Sequence, residues 1–196
     1  MQKTKKKLVY VVLAALLVIL QLSTVLTAFA DEKTALKVKD IGDEALYAVL
    51  ASATDPYGNN GGVLYKEDAE ALTYVDFNNS GIFDNAKKVK SFANFAKYCP
   101  NITQIYESGS IISSEARRSY VEEIAKLDNI TRLSIPIRNM DEISAEEQLS
   151  ILAGKNNTDK LTYLSLELSD YSSQEDIDMS FLGKFANIST LRMYNN

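Results

Sequence analysis

Adjacent carboxylates such as Asp31-Glu32, Glu122-Glu123, Glu146-Glu147 and Glu175-Asp176 are among the groups of this chain whose chemistry could be hydrolytic. Acid–base hydrolysis needs two carboxyl groups facing one cleft at a defined separation. These pairs fall in helix-start or outer segments, and solvated faces account for them. Cys99 is the single cysteine, and a nucleophilic thiol needs a base beside it, whereas the sequence has no histidine. Its neighbours Phe92, Phe95, Ala96 and Tyr98 predict a buried filler. The stretch DPYGNNGGVLYKED, residues 55 to 68, invites comparison with a calcium loop, which needs oxygen ligands at its first, third, fifth and twelfth positions. Aligned on Gly62, Leu64 and Asp68, it has Tyr57 where the first Asp belongs, so a Gly-Asn turn joining two helices is expected instead. Gly-rich phosphate loops and Cys/His ligand clusters are missing too. The sequence thus assembles no catalytic set, no metal site and no cofactor site.

The elements that could position any other chemistry begin after residue 30. Lys3, Lys5, Lys6 and Lys7 precede a largely apolar run from Leu8 to Leu26, and Ala28-Phe29-Ala30 has the small-residue spacing of a signal-peptidase site. We expect residues 1–30 to be a signal peptide. The alternative is an anchor through residues 8–29, a run long enough to cross a bilayer. The remaining 166 residues suffice for one domain with a real core. The first thirty carry four lysines and no acid, so their removal takes the formal charge from −5 to −9. Such a body repels nucleic acid and anionic lipid, which excludes both as partners held by bulk attraction. With one cysteine there is no disulfide within the chain, and stability has to come from packing.

A phrase recurs through that body: EALTYVDF (70–77), PNITQIYE (100–107), DNITRLSI (128–135), DKLTYLSL (159–166) and ANISTLRM (186–193). The first aliphatics are Leu72, Ile102, Ile130, Leu161 and Ile188, at intervals of 30, 28, 31 and 27 residues. Three residues later come Val75, Ile105, Leu133, Leu164 and Leu191; two further on come Phe77, Ile135, Leu166 and Met193, with Glu107 as the exception. The alternation predicts strands with one buried face. Between strands, Phe92, Phe95 and Tyr98, then Tyr120, Ile124 and Leu127 behind Ser113 and Ser114, then Leu149 and Leu152 after a Ser144–Glu147 capping box, then Phe181, Leu182 and Phe185 predict returning helices. A unit of this size buries its apolar edge only against a neighbour, so the units stack, with a parallel sheet on the concave side and helices on the convex side.

L-x-x-L-x-L-x-x-N headed by [LI]-[TS] resembles a leucine-rich repeat over residues 72–196. The family's asparagine position falls on Ser80, Ser110, Arg138, Ser169 and Asn196, so its ladder of buried amides is only partly kept. Glu107 at a core position and Pro136 directly after the third strand mark the second and third units as irregular. Residues 31–71, with Ala45, Leu46, Val49 and Leu50 on one helical face, resemble the helical N-terminal cap of bacterial internalin-like proteins, which covers the exposed end of the stack. The resemblance implies a Gram-positive source and a host protein, glycan or surface polymer as partner.

Residues alternating with the buried strand positions project from the concave sheet. They are Tyr74, Asp76 and Asn78; Gln104, Tyr106 and Ser108; Arg132 and Ser134; Tyr163, Ser165 and Glu167; and Thr190, Arg192 and Tyr194. Four of the five strands carry a tyrosine there, a residue common both in binding hot spots and on exposed sheets. Five sequons are headed by Asn78, Asn101, Asn129, Asn156 and Asn187, and the three directly before a strand, at Asn101, Asn129 and Asn187, are explained by the repeat's turn-then-strand chemistry. The expected function is non-enzymatic: a secreted or cell-surface protein that binds a protein or surface polymer through the concave face. A structural spacer, or a fragment of a larger surface protein, is the alternative.

Overall fold

Hydroxyl groups tie each strand to the one before it. In the computed structural model, which describes residues 33–109, 111–154, 159–168 and 179–194, Thr103 Oγ1 donates to the Thr73 carbonyl at 3.1 Å and Thr131 Oγ1 to that of Thr103 at 3.2 Å. Thr162 Oγ1 donates to Thr131 at 3.2 Å, and Ser189 Oγ to Thr162 at 3.0 Å. Each of those carbonyls also accepts the two backbone N–H groups that begin the next strand. The recurring [LI]-[TS] is therefore a hydrogen-bonded ladder, each hydroxyl contributing about 1 kcal/mol. Residues 1–30, the pairs Asp31-Glu32 and Glu175-Asp176, and Ser110, Asn156, Ser169 and Asn196 lie outside the described residues.

Above the ladder run strands β1 (Tyr74–Asp76), β2 (Gln104–Tyr106), β3 (Arg132–Ile137), β4 (Tyr163–Leu168) and β5 (Thr190–Tyr194), all parallel and in sequence order. Val75, Ile105, Leu133, Leu164 and Leu191 stand opposite one another in that order. The register is the one expected from the repeated phrase. The result is an open, curved parallel sheet flanked by helices, a solenoid-like α/β arrangement. The first four of those aliphatics are buried, whereas Leu191 and Met193 on β5 are 42% and 44% exposed.

Helices fill the other side less evenly than the repeat predicts. Three lie before the sheet: α1 (Val38–Ile41), α2 (Glu44–Thr54) and α3 (Lys66–Ala71). Two short turns, α4 (Phe83–Ala86) and α5 (Phe95–Tyr98), join β1 to β2; α6 (Ser114–Ala125) and α7 (Ala145–Ala153) follow β2 and β3; and a 3-10 segment, Met179–Lys184, precedes β5. Ser113 Oγ accepts from Ala116 N and Ser144 Oγ from Glu147 N, the caps that Ser/Thr-led starts predict. The Glu147 carboxylate, however, goes to Arg118 of α6 instead of closing a capping box. Asp43 both caps α2, through Leu46 N at 2.8 Å, and accepts from Lys90 N at 3.0 Å and Ser91 N at 3.2 Å, so one carboxylate fastens α2 to the first unit. Buried side chains run as one core from Leu36 to Phe185. At its centre Phe77, Phe92 and Tyr120 pack with ring centroids 4.6 to 5.8 Å apart.

Glu107 and Pro136, the two departures from the repeat, meet in one buried device. Glu107 (1% exposed) holds Arg117 of α6 (0%) through Nη1 at 2.7 Å, and its other oxygen accepts from Ile112 N at 3.1 Å. Arg117 Nε donates to Gln148 Oε1 of α7 at 2.9 Å, and Nη2 donates to the Pro136 carbonyl. Gln148 Nε2 in turn donates to the Arg138 carbonyl at 2.6 Å. Pro136 sits within β3, paired with Glu167 of β4. By the alternation that points Arg132 N at Thr103 O, its missing donor faces the β2 side, where β2 has already ended at Tyr106. A proline is tolerated there because no ladder bond is lost.

Candidate functional site

The face of the sheet opposite the helices is built from three tiers of side chains. Register places Tyr74, Gln104, Arg132, Tyr163 and Thr190 along one tier, and Asp76, Tyr106, Ser134, Ser165 and Arg192 along the next. Pro136, Glu167 and Tyr194 continue a third at the C-terminal ends of the strands. Tyr74, Tyr106 and Tyr194 are 48%, 41% and 43% exposed. Tyr163 is half-buried because two guanidinium groups cover its ring: Arg132 lies 4.6 Å and Arg192 5.5 Å from the centroid. Hydrogen bonding to the hydroxyls of Tyr194 and Tyr163 raises the Arg192 pKa. Hydrogen bonds donated by Ser165 and by Arg192 to the Tyr194 phenol oxygen lower its pKa. Tyr74 moves the other way, its phenol pKa raised by partial burial and then by the charge of Asp76.

Not every residue expected on this face is offered to solvent. Ser134 and Ser165 occupy the expected positions but are 9% and 2% exposed, so they support their neighbours rather than present a surface. Ser165 is also a hydrogen-bond partner of Tyr194 on the neighbouring strand. Asn78 is occupied as well: its Nδ2 donates to Ser108 Oγ, and its Oδ1 accepts from Ser108 N at 3.0 Å. That reciprocal pair ties together the segments that follow β1 and β2. Glu167 Oε2 accepts from Gly109 N at 2.9 Å, which holds the carboxylate at the edge of the face.

Two clefts open on this side. The first, about 420 Å³, lies across β1 to β4 and is walled by Tyr74, Gln104, Tyr106, Arg132 and Tyr163 with Ser134 at its floor. The second, about 400 Å³, lies between β1 and the loop after α2, with Asp55, Pro56 and Gly58 on one side and Tyr74, Asp76 and Asn79 on the other. Tyr74 is a wall of both. The repeat pattern did not place the loop on this side, because the loop precedes the first unit. Tyr57 is 88% exposed. Gly58, Gly61 and Gly62 adopt φ of 70°, 61° and 80°, which only glycine takes up without strain, and Asp55 closes the turn by accepting from Asn60 N and Asn59 Nδ2. The loop is a turn joining α2 and α3, as the sequence suggested.

Among the described residues, Glu122-Glu123, Glu146-Glu147 and Cys99 lie away from this face. Glu123 is 6% exposed, not solvated as expected, because its carboxylate accepts from Ala96 N at 2.9 Å and pairs with Lys126. Glu122 and Glu146 are exposed. Among the described residues, no group of three or more His, Cys, Asp or Glu side chains is placed to hold a metal ion, and no helix is long and apolar enough to cross a membrane. Asn101 and Asn187 of the pre-strand sequons donate to the carbonyls of Glu70 and Asp159 in the preceding unit, at 2.8 and 2.6 Å, so these amides serve the stack.

Cys99 is fully buried, and burial pushes its thiol up to about 12. We expect a thiol reagent at pH 8 to label it only after denaturation; labelling of the folded chain at the same rate would contradict the packing. Because the unfolded thiol ionises from its ordinary 9.0 and the folded one only near 12, stability should fall as pH rises across that window.

No protein-family model matches this chain, and no curated protein matches it. Among solved structures, the crystal structure of internalin C2 from Listeria monocytogenes is similar, with 18% sequence identity over 83% of this chain and 80% of that one and a TM-score of 0.36. A likeness at that level says nothing about partners.

Proposed function

We propose that this chain is an exported leucine-rich-repeat protein that binds a protein or surface-polymer partner through the sheet face opposite its helices, with residues 1–30 as its export signal and the α1–α3 region as its N-terminal cap. The observation that carries the reading is Tyr163, clamped between Arg132 and Arg192 while Tyr74, Tyr106 and Tyr194 stand exposed around it. Tyrosine and arginine dominate binding hot spots, and side chains already held in place lose little entropy on docking. Among the described residues the face joins no set of groups able to cleave or transfer a bond, which favours binding over catalysis.

The test is capture from host-cell and bacterial-envelope extracts. Replacing Tyr106 and Tyr163 together with Ala should reduce capture at least about tenfold, a conservative figure for two hot-spot truncations, while the circular dichroism spectrum stays the same. Undiminished capture by the double variant would remove this face from contention. A second reading, a stacking or spacer role, is favoured by the apolar exposure of Leu191 and Met193 at the β5 edge. Concentration-dependent self-association, abolished by Met193→Lys, would support it.

A further inference from the structure

The charges on the proposed binding face are segregated. Asp76 on β1 and Asp55 on the neighbouring loop flank one cleft, and Arg132 on β3 and Arg192 on β5 flank the Tyr163 ring. Among the described residues none of these four groups belongs to an ion pair, although the chain pairs its charges elsewhere, as in Arg117–Glu107 and Arg118–Glu147. Glu167, the remaining carboxylate of the three tiers, is held at the strand ends by Gly109 N. The two arginines are thus cations facing solvent on a chain of net charge −5. Such groups are poised to meet an anion.

We infer that the partner is an extended peptide segment lying across the strands, with a basic side chain over the Asp76 cleft and an acidic side chain at the Arg132–Tyr163–Arg192 clamp. The inference rests on the binding reading above and specifies its partner. Strands are about 4.8 Å apart, so Arg132 lies about 10 Å and Arg192 about 19 Å across the sheet from Asp76. An extended chain rises about 3.3 Å per residue, so its two charges stand about three to six residues apart. Tyr74, shared by both clefts, and Tyr106 then lie under the intervening backbone. The segregation also weighs against a uniformly anionic polymer. Its charges would gain at the arginines but be repelled at Asp76 and by the acidic body.

The experiment uses the chain on arrays of short synthetic peptides. One set carries a basic and an acidic side chain about three to six residues apart, in both orders; the others carry two bases, two acids or no charge. A polyuronate in solution is the polysaccharide probe. Opposite-charge peptides should bind at least about tenfold better than the like-charge sets, a modest figure for two charge contacts. Arg132→Gln with Arg192→Gln should erase the preference for the acid and keep that for the base. Asp76→Asn should do the reverse. Binding indifferent to charge pattern, binding to the polyuronate but to no peptide, or no peptide binding at all would overturn the inference. If Tyr106→Ala with Tyr163→Ala still abolishes capture from extracts, the face stands and only the peptide assignment falls; if those tyrosines prove dispensable as well, both fall.

Discussion

Replacing Arg117 with Met should cost about 3–5 kcal/mol of folding stability, read as a fall in the urea midpoint at constant m-value. The reason is local. Arg117 is fully buried and satisfies three acceptors at once: the Glu107 carboxylate, the Gln148 amide oxygen and the Pro136 carbonyl. Methionine fills much of the same volume but strands a carboxylate and two carbonyl-type oxygens in the core. The Arg117→Met, Glu107→Leu double variant should recover the part of the loss that comes from the stranded carboxylate, while the Gln148 and Pro136 oxygens stay unpaired. A double-mutant cycle measures this coupling directly. If Arg117→Met alone lowers the unfolding free energy by less than about 1 kcal/mol, the pair is solvated in solution and α6 does not bury it against the sheet.

Leu164→Asp is the second large effect. Leu164 is 2% exposed on β4, with Leu133 beside it on β3 and Leu191 on β5. A carboxylate there has no partner, and the core it enters is shared by adjacent units, so several units should unfold together rather than one locally. The expected result is loss of the cooperative thermal transition in circular dichroism at 25 °C and above. Leu191→Asp serves as the control. It occupies the same repeat position at 42% exposure, and its cost should be a small fraction of the other. A wild-type melt for Leu164→Asp would overturn the register on which the whole face depends.

The spine of this protein was legible in its sequence because a stack repeats one local solution. Val75, Ile105, Leu133, Leu164 and Leu191 could be aligned on paper, and they are paired in the sheet. The hydroxyl after each first aliphatic and the caps at Ser113 and Ser144 were visible for the same reason. So was the side of the sheet on which the tyrosines lie, since alternate residues of a strand face opposite ways.

Whatever breaks the repeat was not legible. Glu107 read as a flaw until α6 delivered Arg117 to it, and Gln148, 31 residues beyond Arg117, completes the arrangement only because α7 stacks on α6. The sandwich of Tyr163 joins side chains from three strands, and Ser165 hydrogen-bonds with a tyrosine on the next strand. The loop at Asp55 reached the sheet face opposite the helices through the placement of α2, fixed by Asp43 and the backbone of Lys90 and Ser91. Periodicity records what each unit does for its neighbour, so the sequence alone determined the register, the ladder and the two faces. Which polar groups end up buried, satisfied or free depends on how far particular side chains reach across units that differ from one another, and that only the tertiary structure decided.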